Sequence, residues 1–426
     1  MKRASLSGLA ALMSCAFPWS ILATEPPAAT EKPAQTTPSE EETKWVRAVE
    51  PKALSQNVLR GLAWMIATQL ENGGWSQGVE SIRMGQGMDP LKAKPNVADT
   101  CISSLALMRA GSTPRSGPHS SSISKAVNFI CAQIEESDST SLSVTNIKGT
   151  RVQAKLGPYV DTFLAALVLV EVKDDMPDER SSKRVEAALA KVIDKIERNQ
   201  KEDGTWDKRG WASVMSQSLA AKALNRAAQK GMKVDASVLE RVEKDARDRY
   251  DEKSGKFKGA RGDAAGVELY AVAGSFSAMQ DSDNTNAVKE REINEKLKHV
   301  KTQEERDQLQ AELGRIASVR AEVGKAAQSV LARLDDERFV AGFGSNGGEE
   351  FLSYLLIGEG LVVKGGEEWQ KWDKSITENL NRIQNQDGSW TGHHCITGRN
   401  FCTAAALMVL TIDRAEIPLA AKVKSR

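Results

Sequence analysis

The sequence predicts an all-α protein: an α/α toroid of six inner and outer helix pairs, with an inserted charged helical hairpin. Three observations carry that prediction. From Trp45 onward, amphipathic helical stretches alternate with loops bearing Gly, Asp and Ser, and no segment sustains the period-two alternation a half-buried strand needs. A string of Gln, Gly and Trp recurs three times at the same internal spacing. The helical stretches are also of two kinds, one apolar on a single face and the other apolar nearly all round, which separates helices facing water from helices buried on every side.

The elements follow in order along 426 residues. Lys2 and Arg3 precede an apolar run from Ala4 to Ala23, and the chain turns polar at Thr24-Glu25-Pro26-Pro27. A basic start, a short apolar core and a small residue at its end describe a secretory signal peptide over 1–23, and hence export to a periplasmic or extracellular space. Leu12-Met13-Ser14-Cys15 has the form of a lipoprotein box, but the apolar run continues past Cys15, so anchoring through Cys15 is the minority alternative. Residues 24–44, rich in Pro, Thr, Ala and Glu, hold too little apolar surface to offset ordering and form a disordered tether. The toroid is expected over 45–414, with a tail at 415–426. No segment after the signal reaches about 18 uninterrupted apolar residues, so the mature chain is expected not to span a membrane.

Six single-faced stretches are the expected outer helices: 54–70, 123–133, 182–200, 236–249, a long segment ending near Leu334, and 368–384. Six stretches richer in small apolar residues are the expected inner helices: 97–109, 160–172, 212–228, 264–279, 349–362 and 401–412. The fifth outer segment is far longer than the others, and its 283–337 portion is dense in Glu, Lys, Arg and Gln. Leu309, Leu313, Ile316, Arg320, Val323, Ala327, Val330 and Leu334 follow a 4-3 spacing there, and Ile293, Leu297 and Val300 begin a second stripe. A turn near 301–304 would pair the stripes within the chain; the alternative is that this coiled-coil-like arm docks on a protein partner.

The repeated strings are Gln69/Gly73/Trp75, Gln200/Gly204/Trp206 and Gln384/Gly388/Trp390. Each Gln falls at the end of an outer helix, Gly supplies the left-handed conformation that stops it, and Trp folds back to cap the helix and fill the gap to its neighbour. That is a structural role. These strings, with Thr403 to Leu410 behind the last of them, resemble the repeats of squalene and oxidosqualene cyclases and of protein prenyltransferase β-subunits. The likeness spans most of 45–414 but is strong in three pairs: the second lacks Gly and Trp, the fourth offers Gly255 and Phe257, and the fifth Gly342 and Phe343. The resemblance implies the toroid, with inner-helix N-termini gathered at one rim.

The chemistry that the resemblance implies is not matched residue for residue. Cyclases of that family use an Asp-x-Asp-Asp acid, which this sequence lacks, and line their cavity with aromatic rings to shield carbocations, whereas aromatics are 5% here. Asp174-Asp175-Met176-Pro177-Asp178 has a magnesium-diphosphate spacing but reads as a solvated turn. The prenyltransferase β-subunits hold one zinc through Asp, Cys and His at the rim. The corresponding place here is His393-His394-Cys395 to Cys402, behind the third motif, where ligand types suit zinc but order and spacing do not follow the family. Three readings stand for this cluster: a Cys395–Cys402 disulfide or plain packing, which export favours; a metal site of His393, His394, Cys395 and Cys402; and a reactive thiol. Cys101 and Cys131 are paired or merely buried.

Gly342 to Gly348 leads into Glu349 and Glu350, which either complement the helix dipole or share the rim with His393 and His394 as catalytic candidates. Asp99-Thr100 and Asp161-Thr162 read as N-caps. With 58 Lys+Arg against 57 Asp+Glu, no excess charge is available to displace counterions from nucleic acid. The expected function is that of an exported binding or scaffolding protein, taking a hydrophobic small molecule or a peptide in the ring, with no cofactor established. The alternative is a rim-site enzyme of prenyltransferase type, zinc-assisted, acting on an isoprenoid or peptide. A glycan-cleaving toroid is a third reading that rests on fold and rim carboxylates alone.

Overall fold

Helix starts in this chain are set by short polar side chains. Ser55, Asp178, Asp235 and Thr302 each accept a backbone N–H from the first turn of the helix they precede, satisfying donors that have no partner within the helix. The computed structural model describes residues 45–79, 89–259, 262–415 and 421–423. The expected signal peptide with Cys15, the tether and most of the tail lie outside them.

Six helices bury one face: α1 (Gln56–Ala67), α3 (Ser120–Glu136), α6 (Glu179–Arg198), α8 (Ala236–Asp248), α10 (Gln303–Leu331) and α13 (Gly366–Ile383). In α6, Val185, Ala188, Leu189, Val192, Ile193 and Ile196 are buried at helical spacing while its opposite face is charged. Six others are buried over most of their circumference: α2 (Val97–Arg109), α5 (Val160–Val172), α7 (Ser213–Gln229), α9 (Glu268–Leu297), α12 (Gly348–Val362) and α14 (Arg399–Leu410). Every residue of α5 is buried. Two short helices, α4 (Arg151–Leu156) and α11 (Glu337–Ala341), lie in connections. The buried helices touch in chain order, α2 to α5, α7, α9, α12 and α14, and α14 packs back on α2. The half-buried helices pack against them: α3 on α2, α6 on α5, α8 and α10 on α9, and α13 on α12 and α14. Among the described residues no helix is long and apolar enough to cross a membrane.

The three Gln/Gly/Trp strings make the same bonds three times. Gln69, Gln200 and Gln384 donate through Nε2 to the carbonyls of Gly73, Gly204 and Gly388 at 2.9, 3.1 and 2.8 Å. Each also donates to a carbonyl of another half-buried helix, Ser122, Val238 and Asn57. The glycines have φ of +88°, +82° and +91°, and a Cβ there would meet the carbonyl oxygen of Lys125, Arg241 or Arg60 within 2.7 Å. Glycine is required on both counts. Trp75, Trp206 and Trp390 donate their indole N–H back to Met65, Ile196 and Leu380 at 2.8–2.9 Å. Their backbone N–H groups bond to Thr100, Gln217 and Thr403 in the following buried helix. One string therefore fastens three helices together. The fastenings join α1 to α3, α6 to α8, and α13 back to α1.

The charged insertion differs from its expected boundaries. The fourth inner helix was expected at 264–279, with the insertion starting at Asp283. Instead α9 begins at Glu268, because Ala265 and Gly266 adopt positive φ, and it runs unbroken to Leu297. The first part of the charged segment, 283–297, is thus the extension of a buried helix. The chain turns between Leu297 and Gln303 and α10 returns along α9. Ile316, Val319, Val323, Ala327 and Val330 are buried, so the apolar stripe is used within the chain. Arg315–Glu243 and Arg247–Glu322 pairs, at 2.6 and 2.7 Å, tie α10 to α8.

Three two-stranded ribbons complete the described chain. Strands β2 (Trp75–Ser76) and β3 (Pro95–Asn96) follow the first Trp, β4 (Tyr250–Asp251) and β5 (Lys256–Phe257) form a hairpin, and β1 (Trp45–Arg47) pairs antiparallel with β6 (Ala421–Val423). Arg47 donates to the Ala415 carbonyl at 2.8 Å, and the Lys52 N–H to Asp413 at 2.7 Å, so the two ends of the described fold are joined beside α13 and α14.

Candidate functional site

The N-termini of the buried helices collect polar side chains, because each first turn presents N–H groups that need acceptors. At α2 the N-cap is Asn96, whose Oδ1 accepts from Asp99 N at 2.9 Å, so Asp99 sits in the first turn rather than at the cap expected for it. Asp161 is likewise in the first turn of α5, and it serves the neighbouring helix: its Oδ1 accepts from Ala98 N at 3.0 Å and its Oδ2 from Gln153 at 2.8 Å. Thr100 accepts from Trp75 N and Thr162 donates to the Leu142 carbonyl at 2.6 Å. These residues are committed to packing.

The cluster built on α12 is different. Glu349 and Glu350 are fully buried. Glu349 Oε2 accepts from Ile396 N at 3.0 Å. Glu350 Oε1 accepts from the Tyr270 hydroxyl at 2.5 Å and from Phe343 N at 3.0 Å, and its Oε2 lies 3.3 Å from His394 Nε2. Two loops close around this chain of Tyr270, Glu350 and His394. The His393 N–H donates to the Asn346 carbonyl at 2.6 Å and Gly348 N to the Ile396 carbonyl at 2.9 Å. His394 fits against Gly344 and Gly347, where a Cβ would come within 2.7 Å of its ring. Ser345 and Cys395 hold φ of +70° and +53°, a conformation that strains a side chain and that the loop contacts enforce. Phe343 is 56% exposed. It packs edge-on against both His394 and Trp211 at 5.1 Å between ring centres, and Lys155 Nζ lies 4.5 Å above the Trp211 ring.

Burial sets the electrostatics here. Loss of solvation pushes the Glu349 carboxyl up to about 8, with the Glu350 charge adding to the effect. It raises Asp99 to about 7, partly opposed by the Asn96 hydrogen bond. It also lowers His394 and raises Tyr270 far above its usual value. Acids whose folded values are raised bind protons more tightly folded than unfolded, so their contribution to stability is greatest below the ordinary carboxylate range and is lost as pH rises through about 7 for Asp99 and about 8 for Glu349. The urea midpoint of the protein is expected to fall from pH 5 to pH 9. Glu349→Gln is expected to remove part of that fall, gaining stability at pH 9 and not at pH 5; an equal gain at both pH values would contradict it.

The expected sulfur and zinc chemistry is placed differently. The four described cysteines are buried free thiols, Cys395 and Cys402 among them, and Cys402 Sγ donates to the Ile396 carbonyl at 3.3 Å. Burial raises the Cys395 thiol to about 12 and Cys402 well above its usual value, which opposes thiolate formation. Cys101 and Cys131 are also unpaired. His393 is exposed while His394 is turned inward toward Glu350, so adjacent side chains diverge. Among the described residues no three His, Cys, Asp or Glu side chains converge as a metal site. Tyr270, Trp211 and Lys155 were not singled out in the sequence; Tyr270 and Lys155 belong to pairs whose motifs are weak, Trp211 follows the second string without being part of it, and they meet the Glu350 cluster only through the circuit of helices.

At the other ends of the buried helices lies a second polar group. Arg109 pairs with Glu359 at 2.7 Å, Lys222 with Asp281 at 2.9 Å and with Glu359 at 3.2 Å, and Arg226 Nε with Glu171 at 2.6 Å. All are at least nine-tenths buried. Burial works against these charges, yet Lys222 and Arg109 together hold Glu359 below its usual range. Asp281 is raised by burial despite Lys222, and Lys222 is itself raised, its carboxylate neighbours outweighing desolvation. Beside the pairs, Ile102, Leu105, Leu164, Leu219, Leu355 and Met408 line a cavity of about 40 Å³.

No protein-family model matches the chain, and no curated protein matches it.

Proposed function

We propose that this chain is an exported α/α toroid of the squalene cyclase and prenyltransferase repeat type that works as a binding or scaffolding protein and not as a cyclase. The toroid reading rests on the circuit of buried helices and on the three Gln/Gly/Trp fastenings, one of which joins α13 to α1. The observation that carries the functional reading is how little room is left in the cavity among α2, α5, α7, α12 and α14. Ligand pockets run to roughly 300–1,000 Å³, whereas the cavity among these helices is about 40 Å³ and ends on the ion pairs of Arg109, Lys222 and Arg226. A prenyl chain has no room there. The missing Asp-x-Asp-Asp acid and the scarcity of aromatic residues agree. The face that would meet a peptide or apolar partner is the rim where the inner helices begin, marked by exposed Phe343.

A second reading, a rim-site enzyme, is favoured by the grouping of Tyr270, Glu350 and His394, where the hydroxyl donates to the carboxylate and the imidazole lies 3.3 Å from its other oxygen; these are residue types that serve as acid–base groups. Organic extraction of the purified protein followed by mass spectrometry, with metal analysis on the same sample, separates the two. The expected result is no stoichiometric isoprenoid and no stoichiometric zinc. One zinc per chain, lost in a His394→Ala variant that stays folded, would overturn the scaffold reading in favour of the enzyme.

A further inference from the structure

Lys222 lies on α7, Asp281 on α9 and Glu359 on α12, three consecutive helices of the circuit, and their side-chain termini converge out of solvent. Lys222 Nζ is 3.0 Å from Asp281 Oδ1, 2.9 Å from its Oδ2, and 3.2 Å from Glu359 Oε2. Being nearly equidistant from both oxygens, the nitrogen faces the whole carboxylate as a bidentate ion pair. Glu359 is held from its other side by Arg109, 2.7 Å from Oε1, so it stays a carboxylate while facing the amine. Ser277 Oγ is 3.4 Å from Asp281 Oδ2. A buried amine, a buried carboxyl group that burial inclines to protonate and a second carboxylate able to carry protons between them are the components of an amide condensation, the step to be overcome being loss of the proton that the two carboxylates hold on Lys222.

We propose that Lys222 and Asp281 are a covalent modification site, condensing into an intramolecular isopeptide bond with Glu359 as the proton carrier. A proton leaves Lys222 Nζ for the Asp281 carboxylate, giving a neutral amine beside a carboxylic acid. The amine lone pair attacks Asp281 Cγ and the N–C bond forms. Glu359 takes a second proton from the nitrogen and delivers it to the departing hydroxyl, the Cγ–O bond breaks, and one water leaves. Glu359 is restored as the carboxylate paired with Arg109, and no oxidant or other reactant enters. Two buried opposite charges, each stripped of water, are replaced by a neutral amide, which removes a desolvation penalty that ion pairing only partly offsets. The effective concentration of groups held at this separation is high enough to replace external activation. This site is independent of any ligand or activity at the rim.

Intact-mass spectrometry of the full purified chain, with its N-terminus defined by sequencing, is the test. The expected mass is one water molecule below that of the sequence. Proteolysis is expected to yield a branched peptide joining the segments that carry Lys222 and Asp281. Lys222→Arg and Glu359→Gln are expected to return the chain to its full sequence mass. Should either variant fail to fold, the wild-type measurement decides alone: folded protein at full sequence mass after prolonged incubation overturns the proposal, as does a one-water deficit mapped to any other pair of residues.

Discussion

Trp206→Ala is expected to lower the free energy of unfolding by about 3–5 kcal/mol, read as a fall in the urea midpoint. Trp206 is 1% exposed, packs edge-on against Phe163 at 5.7 Å, and holds two helices through its indole and backbone N–H groups. Truncation therefore removes a large apolar volume from a place bounded by three helices, which cannot all move to refill it. Trp206→Phe keeps most of that volume and leaves the Ile196 carbonyl without its indole donor. Its expected cost is about 1–3 kcal/mol. A loss below about 1 kcal/mol for the alanine variant would mean that the string is decoration on a fold held together elsewhere.

Glu171→Leu is the second large effect. Removing this carboxylate takes from the Arg226 guanidinium, 1% exposed, and the nearby Lys230 ammonium the counter-charge they share, leaving Arg226 the more distant influence of Asp281. An uncompensated buried charge costs about 3–5 kcal/mol, whereas replacing both members of a buried pair by apolar residues is often neutral. The double variant Glu171→Leu/Arg226→Met is therefore expected to regain most of what the single variant loses. Urea denaturation of the wild type, both single variants and the double variant measures the coupling. Additive losses would show that the two charges do not depend on each other.

The elements legible in the sequence were those with a local cause. The Gln/Gly/Trp strings announced themselves because the bonds they make begin within seven residues of chain, and α5 was legible because an uninterrupted apolar run has one explanation. The length of α9 was not: the stripe of Ile293 and Leu297 in its polar second half reads as the start of a separate helix, although no proline interrupts the chain between Glu268 and Leu297. At the candidate site, Glu349 and Glu350 could be picked out because they follow a glycine loop at a helix start, and His394 because it stands among His and Cys residues directly behind the third string. Tyr270 and Lys155 could not, since they reach the cluster from helices distant in sequence. The expected disulfide rested on compartment alone, and neither Cys395 nor Cys402 carries a local signal of which way its sulfur points.

The fastening of α13 to α1 bears on the order of folding. Gln384 donates to the Asn57 carbonyl across 327 residues of chain, whereas Gln69 and Gln200 bridge 53 and 38 residues. Contacts that close long loops form late, because the entropy of closure must be met before the contact rewards it. The first helix pair must therefore wait for the last, with the flank of α1 uncovered until the C-terminal helices arrive. For a chain that emerges N-terminus first, the interval between those two events is when α1 is most open to mispairing and to proteases, and the speed of this final closure sets how long that exposure lasts.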